Sequence, residues 1–392
     1  MNHVVVVGAG LAGVRSVEAL RARGFGGRIT MIGEERHRPY DRPPLSKAVL
    51  LGGTDSTVVD SDLDALEVDF RAGVAAKGLH PGVVETTEGE LDYDGLVVAT
   101  GARPIRLRGD GPQHVLRTID DALGLRSLLG PGRRVAVVGA GWIGAEVATA
   151  ARRAGCAVTV VEAAATPLAA ALGEIGAHTV PWYAEAGVDL RLGTMVASVD
   201  HGGLTLADGS AIEADVVVTG VGVRPAVEWL AGSGIRLDDG VVTDEHLNTS
   251  LPGVVAVGDC AAWWSRRYGL RLRVEHWDTA LGAPDVAAAT LVGDAAVYDP
   301  VPYFWSEQFG HMVQYAGHHD GARPIRRGDP SAQGKPRWGT CWVDAGDRLV
   351  AVLAVNRPRD LVQGRRLIEG GQRLDVERLA DPAIALRDCT AA

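Results

Sequence analysis

The stretch that decides the fold is His3-Val4-Val5-Val6-Val7-Gly8-Ala9-Gly10-Leu11-Ala12-Gly13. An apolar run from Val4 to Val7 enters a glycine turn, a helical pattern follows from Ala12 to Arg23, and a second apolar run covers Arg28 to Gly33. This is a complete βαβ unit. The G-x-G-x-x-G turn sits between strand and helix, and Glu34 follows 21 residues after Gly13, at the end of the second strand. In that context the glycines allow a tight turn, close approach of a pyrophosphate and close helix–strand packing. The helix N-terminus offers free N–H groups to phosphate charge, and Glu34 can accept from ribose hydroxyls.

The pattern returns 131 positions on. Val135 to Val138 lead into Gly139-Ala140-Gly141-Trp142-Ile143-Gly144, a helix to Ala154, and a strand Val158 to Val161 that ends in Glu162, 18 residues after Gly144. Two dinucleotides are implied. A carboxylate at Glu162 hydrogen-bonds a free 2′-hydroxyl and repels a 2′-phosphate, and Ala163 to Ala165 supply no arginine, so NADH is expected over NADPH. Two nucleotide folds with no phosphotransfer or metal motif point to electron transfer between FAD and NAD.

Asp215 to Gly220 and Val254 to Gly258 read as further buried strands, whereas Met312 to Ala316, Arg337 to Val343 and Leu349 to Val355 read as antiparallel strands between turn-rich stretches. The expected class is α/β, with two Rossmann-like dinucleotide-binding domains, one for FAD and one for NAD, plus a C-terminal α+β domain.

Composition bounds the function. The 392 residues suit two to three domains, and 46% hydrophobic with 22% charged residues describes an ordinary globular chain. Thirty-nine Lys plus Arg against 49 Asp plus Glu give a net charge of −10, which opposes nucleic acid as a partner. The four cysteines, Cys156, Cys260, Cys341 and Cys389, match neither a disulfide framework nor a zinc site. No apolar run reaches the roughly 18 residues of a membrane span, and no cationic leader precedes the first strand, so a cytoplasmic protein is expected. Lysine occurs only at Lys47, Lys77 and Lys335.

Further motifs carry a resemblance. They are Tyr40-Asp41-Arg42-Pro43-Pro44-Leu45-Ser46-Lys47, Ala99-Thr100-Gly101-Ala102-Arg103-Pro104, Gly220-Val221-Gly222-Val223-Arg224-Pro225, Val257-Gly258-Asp259-Cys260 and Glu275-His276-Trp277. With the two glycine turns they resemble, over nearly the whole chain, the FAD-dependent, NADH-using ferredoxin reductases of bacterial oxygenase systems. The resemblance implies an FAD-binding domain split into 1–110 and 240–313 around an NAD-binding domain at 111–239, with a reductase-type domain at 314–392. It implies that Lys47 lies beside flavin N5 and pairs with Glu146, the two acting at the catalytic centre. FAD would be contacted by Gly8, Gly10, Leu11, Ala12, Gly13, Glu34, Arg42, Lys47, Val74, Arg117, Asp259 and Trp277, and the nicotinamide nucleotide by Gly139, Gly141, Ile143, Gly144, Glu162 and Gly222. Trp277 would lend backbone contacts to the isoalloxazine ring, and Trp305 would cover it; core packing is the other reading of both. No metal site is expected.

The disulfide-reducing relatives of this group need a cysteine pair against the flavin, and the persulfide or peroxide branch needs one near positions 40 to 47; the sequence has neither. Cys260 reads as a buried filler. Electrons would therefore pass directly from reduced flavin to an external iron-sulfur ferredoxin. Arg266, Arg267, Arg271 and Arg273 offer a docking patch for that acidic partner, or else a solvated hairpin. The alternatives are an NADH dehydrogenase that reduces quinone or small acceptors, and an NADH-sensing signalling flavoprotein.

Overall fold

The computed structural model describes residues 1–391. The chain divides into two compact units: Met1–Pro43, Ser56–Arg103 and Val223–Pro300 form one, and Pro44–Asp55, Pro104–Gly222 and Val301–Ala392 the other.

The first unit is organised around the opening strand, His3–Val7, which lies in a five-stranded parallel sheet. The order across that sheet is Val254–Ala256, Gly95–Val98, His3–Val7, Arg28–Gly33 and Val68–Ala72. Four consecutive valines suit a strand buried on both faces, because the pleat sends alternate side chains to opposite sides. Val4 and Val6 pack with Val14, Val17 and Leu20 of the helix Leu11–Ala22 and with Ala283 and Ala287 of the helix Trp277–Val292. Val5 and Val7 pack instead with Leu79, Val84 and Leu91 of a three-stranded antiparallel sheet, Ala76–His80, Val83–Thr86 and Gly89–Asp92.

The second unit repeats this plan. Arg134–Val138 is an inner strand of a parallel sheet ordered Asp189–Arg191, Ala157–Val161, Arg134–Val138 and Val216–Thr219. Val135 and Val137 pack on Ala145, Ala148 and Ala151 of the helix Trp142–Arg153, while Ala136 and Val138 face Leu204, Leu206 and Ile212 of a second small antiparallel sheet. In each unit the glycine turn leaves the carboxyl end of a strand that has parallel neighbours on both sides, the switch-point position where such sheets bind ligands.

The same unit carries a five-stranded antiparallel sheet ordered Tyr303–Gln308, His311–Gly317, Leu349–Val355, Trp338–Val343 and Arg323–Arg327. The helix Pro358–Gly370 packs Leu361, Leu367 and Ile368 against one face. Trp182, Leu168 and Leu172 pack with Val313, Trp338 and Trp342 of the other. This sheet begins at Tyr303, inside the 240–313 stretch expected to close the first dinucleotide fold. The cause is legible in the burial of Phe304, Ser306 and Gln308 at alternate positions, a strand pattern within an aromatic run.

Among the described residues no helix is long and apolar enough to cross a membrane. All four cysteines are free thiols in buried positions; burial pushes the Cys260 thiol up and the Cys341 thiol to about 12.

Candidate active site

The two glycine turns separate what the fold needs from what a ligand needs. Gly8 has φ +114°, and a Cβ there would lie 2.2 Å from the Ala99 carbonyl oxygen. A Cβ on Gly13 would lie 2.0 Å from the Gly8 carbonyl oxygen. In the second turn, Gly139 at φ +101° would meet the Gly220 carbonyl oxygen at 2.4 Å and Gly144 the Gly139 carbonyl oxygen at 2.0 Å. Backbone oxygens cannot give way by that much, so these four glycines are required by the protein itself. Gly10 and Gly141 face open space, with nothing within 4 Å of where a Cβ would stand, and both have extended, negative-φ conformations that alanine adopts freely. Each caps its helix without a side-chain hydrogen bond. An uncapped helix N-terminus beside vacant room fits a dinucleotide pyrophosphate.

Around the first turn, Gly258 brings the strand-end segment Gly258-Asp259 close to the helix start, where a Cβ would lie 3.1 Å from that of Ala12. Arg42 donates to Glu35 at 2.7 Å and to the Tyr40 hydroxyl at 3.1 Å, with its guanidinium 5.2 Å from the Tyr40 ring centroid. Burial opposes its charge, but Tyr40, Glu35 and Asp259 together raise its pKa, so Arg42 and Asp259 share one electrostatic environment. Val74 is buried, and its N–H donates to the Gly33 carbonyl. Glu34 is exposed and accepts from Arg103 at 2.7 Å. Trp277 donates its indole N–H to Asp41 at 2.8 Å, a partner the sequence did not suggest. Beside it, burial holds the His276 imidazole down at about 4, against a smaller opposing effect of Asp259.

In the second unit, Glu162 accepts from the backbone N–H groups of Ala140 at 2.7 Å and Ala164 at 2.8 Å, tying the glycine turn to the strand end. Ile143 and Val221 are 42% and 38% exposed, unusual for large aliphatics in a well-packed fold, and Val221 borders Gly139. A bound nucleotide would cover such apolar surface. Gly222 has φ +113°, and its carbonyl accepts from the Ile105 N–H. The Arg117 N–H donates to Asp121 at the N-terminal cap of the helix Ile119–Leu128.

The same unit brings together Lys47 and Glu146, 99 positions apart. Pro43 and Pro44 lead into a π-helical turn, Leu45–Val49, in which the Val49 N–H donates to the Pro44 carbonyl and the Leu50 N–H to that of Leu45. Such i→i−5 turns concentrate at functional sites. Lys47 Nζ reaches Glu146 Oε2 at 2.9 Å, and the adjacent Ser46 hydroxyl donates to the same oxygen. Ser306 Oγ donates to Glu146 Oε1 at 2.6 Å, and Gln308 Nε2 donates to Ser306 Oγ at 3.2 Å. The Glu146 side chain is 3% exposed. A carboxylate that deep needs compensation, and one ammonium with two hydroxyls supplies it. Ser46, Ser306 and Gln308 were missed as site residues, although polar residues at the buried parity of a strand were a visible signal. Trp305, in the same strand, is half-buried and stacks on Tyr303 at 5.9 Å, while Phe304 meets Trp142 edge-on at 4.0 Å.

Two of the four arginines of the expected patch are paired with acids within the protein. Arg266 pairs with Glu245, Arg273 with Asp239 and Glu275, and Arg271 donates to the carbonyls of Thr243 and Ala262. Only Arg266 and Arg267 of the four are exposed.

Comparison with known proteins accords with this geometry. Residues 2–283 match the pyridine nucleotide-disulphide oxidoreductase family and residues 303–390 the reductase C-terminal family. The chain is 39% identical, over 98% of its length and 98% of the relative's, to the ferredoxin–NAD(+) reductase component of the anthranilate 1,2-dioxygenase system of Burkholderia cepacia. The crystal structure of Fdr9 superposes with a TM-score of 0.94 at 53% identity, covering 98% of this chain and 99% of that one. The reductase in the covalent putidaredoxin reductase–putidaredoxin complex superposes with a TM-score of 0.92 at 33% identity, covering 98% and 97%. Two open glycine turns, a lysine paired with a buried glutamate and full-length similarity converge on one conclusion: the chain belongs to the pyridine nucleotide-disulphide oxidoreductases, as an FAD- and NAD(H)-using ferredoxin reductase.

Proposed function

We propose that this protein passes electrons from NADH, through FAD, to an iron-sulfur ferredoxin that supplies an oxygenase, and that Lys47 and Glu146 form its catalytic centre. The flavin, when bound, accepts a hydride and returns single electrons. The residues of the chain do the rest. Gly8, Gly10, Leu11, Ala12 and Gly13 receive the FAD pyrophosphate, with Glu34 at the ribose and Arg42, Val74, Arg117, Asp259 and Trp277 completing the contacts. Gly139, Gly141, Ile143, Gly144 and Gly222 receive NADH, and the carboxylate of Glu162 disfavours a 2′-phosphate. Lys47 presents a fixed positive charge, which favours added negative charge nearby, and Glu146 holds that ammonium in place.

This reading implies three functional domains, 1–110 with 240–313, 111–239 and 314–392, although the strand Tyr303–Gln308 pairs into the sheet of the last. It also implies work in the cytoplasm, where NADH and reduced ferredoxin are available. The pairing of Lys47 with the buried Glu146 carries the proposal, because a cation placed on a π-helical turn against a buried acid serves little purpose in packing alone. The absence of a cysteine pair in the sequence favours an external acceptor over a thiol relay. The test is anaerobic stopped-flow on the flavin-loaded protein. Rapid bleaching by NADH, slow bleaching by NADPH, and reoxidation by a two-iron ferredoxin are expected. Bleaching without transfer to any ferredoxin would overturn the assignment of acceptor.

A further inference from the structure

The start of the helix Pro358–Gly370, the segment 382–387 and Arg337 line a cleft of about 510 Å³ that the electron-transfer reading does not use. Its charged lining consists of Arg337, Arg357, Arg359, Arg387 and a single acid, Asp360. In a chain with net charge −10, four guanidiniums around one small cleft is a strong local inversion. The lone acid is already spent. Asp360 is 8% exposed and accepts from Arg357 Nε at 2.5 Å and from Arg327 Nε at 3.4 Å.

Arg327 deepens the imbalance. It is 1% exposed, and its two terminal nitrogens donate to the carbonyls of Leu379 and Ile384. Two guanidiniums thus share one carboxylate in a nearly dry setting, although buried charges are normally balanced. Arg357 also donates to the Pro382 carbonyl at 3.0 Å, so its fork is held in one orientation. Arg337 and Arg359 are exposed and form no ion pair with any described residue, and Arg387 has only a 3.6 Å contact with its neighbour Asp388. Arg357 and Arg359 flank Pro358, the first residue of the helix Pro358–Gly370, whose positive dipole end faces the same region.

We propose that this cleft binds a small diphosphate-bearing anion. Planar guanidinium forks match phosphoryl oxygens two at a time, and a surplus of about three positive charges suits two adjacent phosphoryl groups better than one. The volume lies within the range of roughly 300–1,000 Å³ that small ligands fill, whereas a protein partner would need a broad face of about 800 Å². None of its lining residues belongs to the glycine turns or to the Lys47–Glu146 pair.

Inorganic pyrophosphate is the probe. Calorimetric titration would use the flavin-loaded enzyme saturated with NAD⁺, so that both glycine turns are filled, at physiological ionic strength. One site per chain is expected, with weaker binding of inorganic phosphate. Arg337→Ser with Arg359→Ser removes two exposed side chains that hold nothing else in place, and should weaken pyrophosphate binding by about tenfold or more. In parallel, pyrophosphate should raise the Tm of the parent protein but not of the double variant. No saturable binding to the parent, or equal affinity in the variant, would overturn the proposal. So would a double variant altered only in its KM for ferredoxin, which would make the cleft a protein-docking face.

Discussion

Ser306 donates a 2.6 Å hydrogen bond to Glu146 from 160 positions away in the chain, so a residue of the C-terminal sheet directly holds the carboxylate that holds Lys47. Ser306 is a positioning residue in this arrangement. It fixes one carboxylate oxygen while Lys47 and Ser46 share the other.

Replacing Ser306 by Ala should therefore slow NADH-driven flavin bleaching by roughly ten- to a hundredfold, the scale of one lost hydrogen bond to a buried charge. Thr at the same position should restore most of the rate. The flavin midpoint potential, measured by dye equilibration, should shift in the Ala variant and return in the Thr variant. An unchanged potential with a slow rate would mean that Ser306 serves packing only.

Lys47→Met leaves Glu146 buried without its cation and should lower stability by about 3 kcal/mol. Adding Glu146→Gln removes the stranded charge, so urea denaturation of the double variant should recover most of that loss. NADH-driven bleaching should stay slow in both. Recovery of rate along with stability would remove Lys47 from the catalytic centre.

The glycines divide into two groups. Gly13→Ala and Gly144→Ala drive a methyl against a backbone oxygen at 2.0 Å and should prevent accumulation of folded protein. Gly10→Ala and Gly141→Ala meet open space and should change apoprotein stability by only about 0.5 kcal/mol. Their affinities for FAD and NADH respectively should nevertheless fall, as read by flavin retention and by fluorescence titration. An alanine at Gly10 that retains FAD normally would place the pyrophosphate elsewhere.

Acid should weaken the first unit through His276. Its pKa falls from the ordinary 6.5 to about 4 in the folded chain, because burial opposes the charged form. The unfolded chain takes up a proton that the folded chain refuses, so this contribution is complete above pH 6.5 and is lost as pH falls towards 4. The loss amounts to roughly 3 kcal/mol at most. Urea denaturation of the apoprotein at about pH 7, 6 and 5 should show the decline, and His276→Gln should flatten it. An equal decline in that variant would assign the acid sensitivity to other groups.

How much of this was legible in the sequence depends on the range of the contacts involved. The valine runs, glycine turns and terminal acids are local, and strand, turn and helix followed within a residue or two of expectation: Arg28–Gly33 is the strand that was read. The Lys47–Glu146 pairing came from resemblance, since no local pattern links positions 99 apart. Ser306 escaped because its partner lies on a helix in another part of the chain. The ion pairs of Arg266 and Arg273 were hidden for the same reason: Glu245 and Asp239 become their neighbours only after folding.

The triple grip on Glu146 also sets an order of assembly. Glu146 leaves the ribosome 160 residues before Ser306, which at 5–20 residues per second is a delay of roughly 10 to 30 s. Before Ser306 is made the chain already holds both glycine turns and Lys47, but one oxygen of the carboxylate still lacks its serine. The sheet that begins at Tyr303 is thus made after both nucleotide folds, so a message truncated before codon 303 would encode those folds without the serine that holds the second oxygen of Glu146.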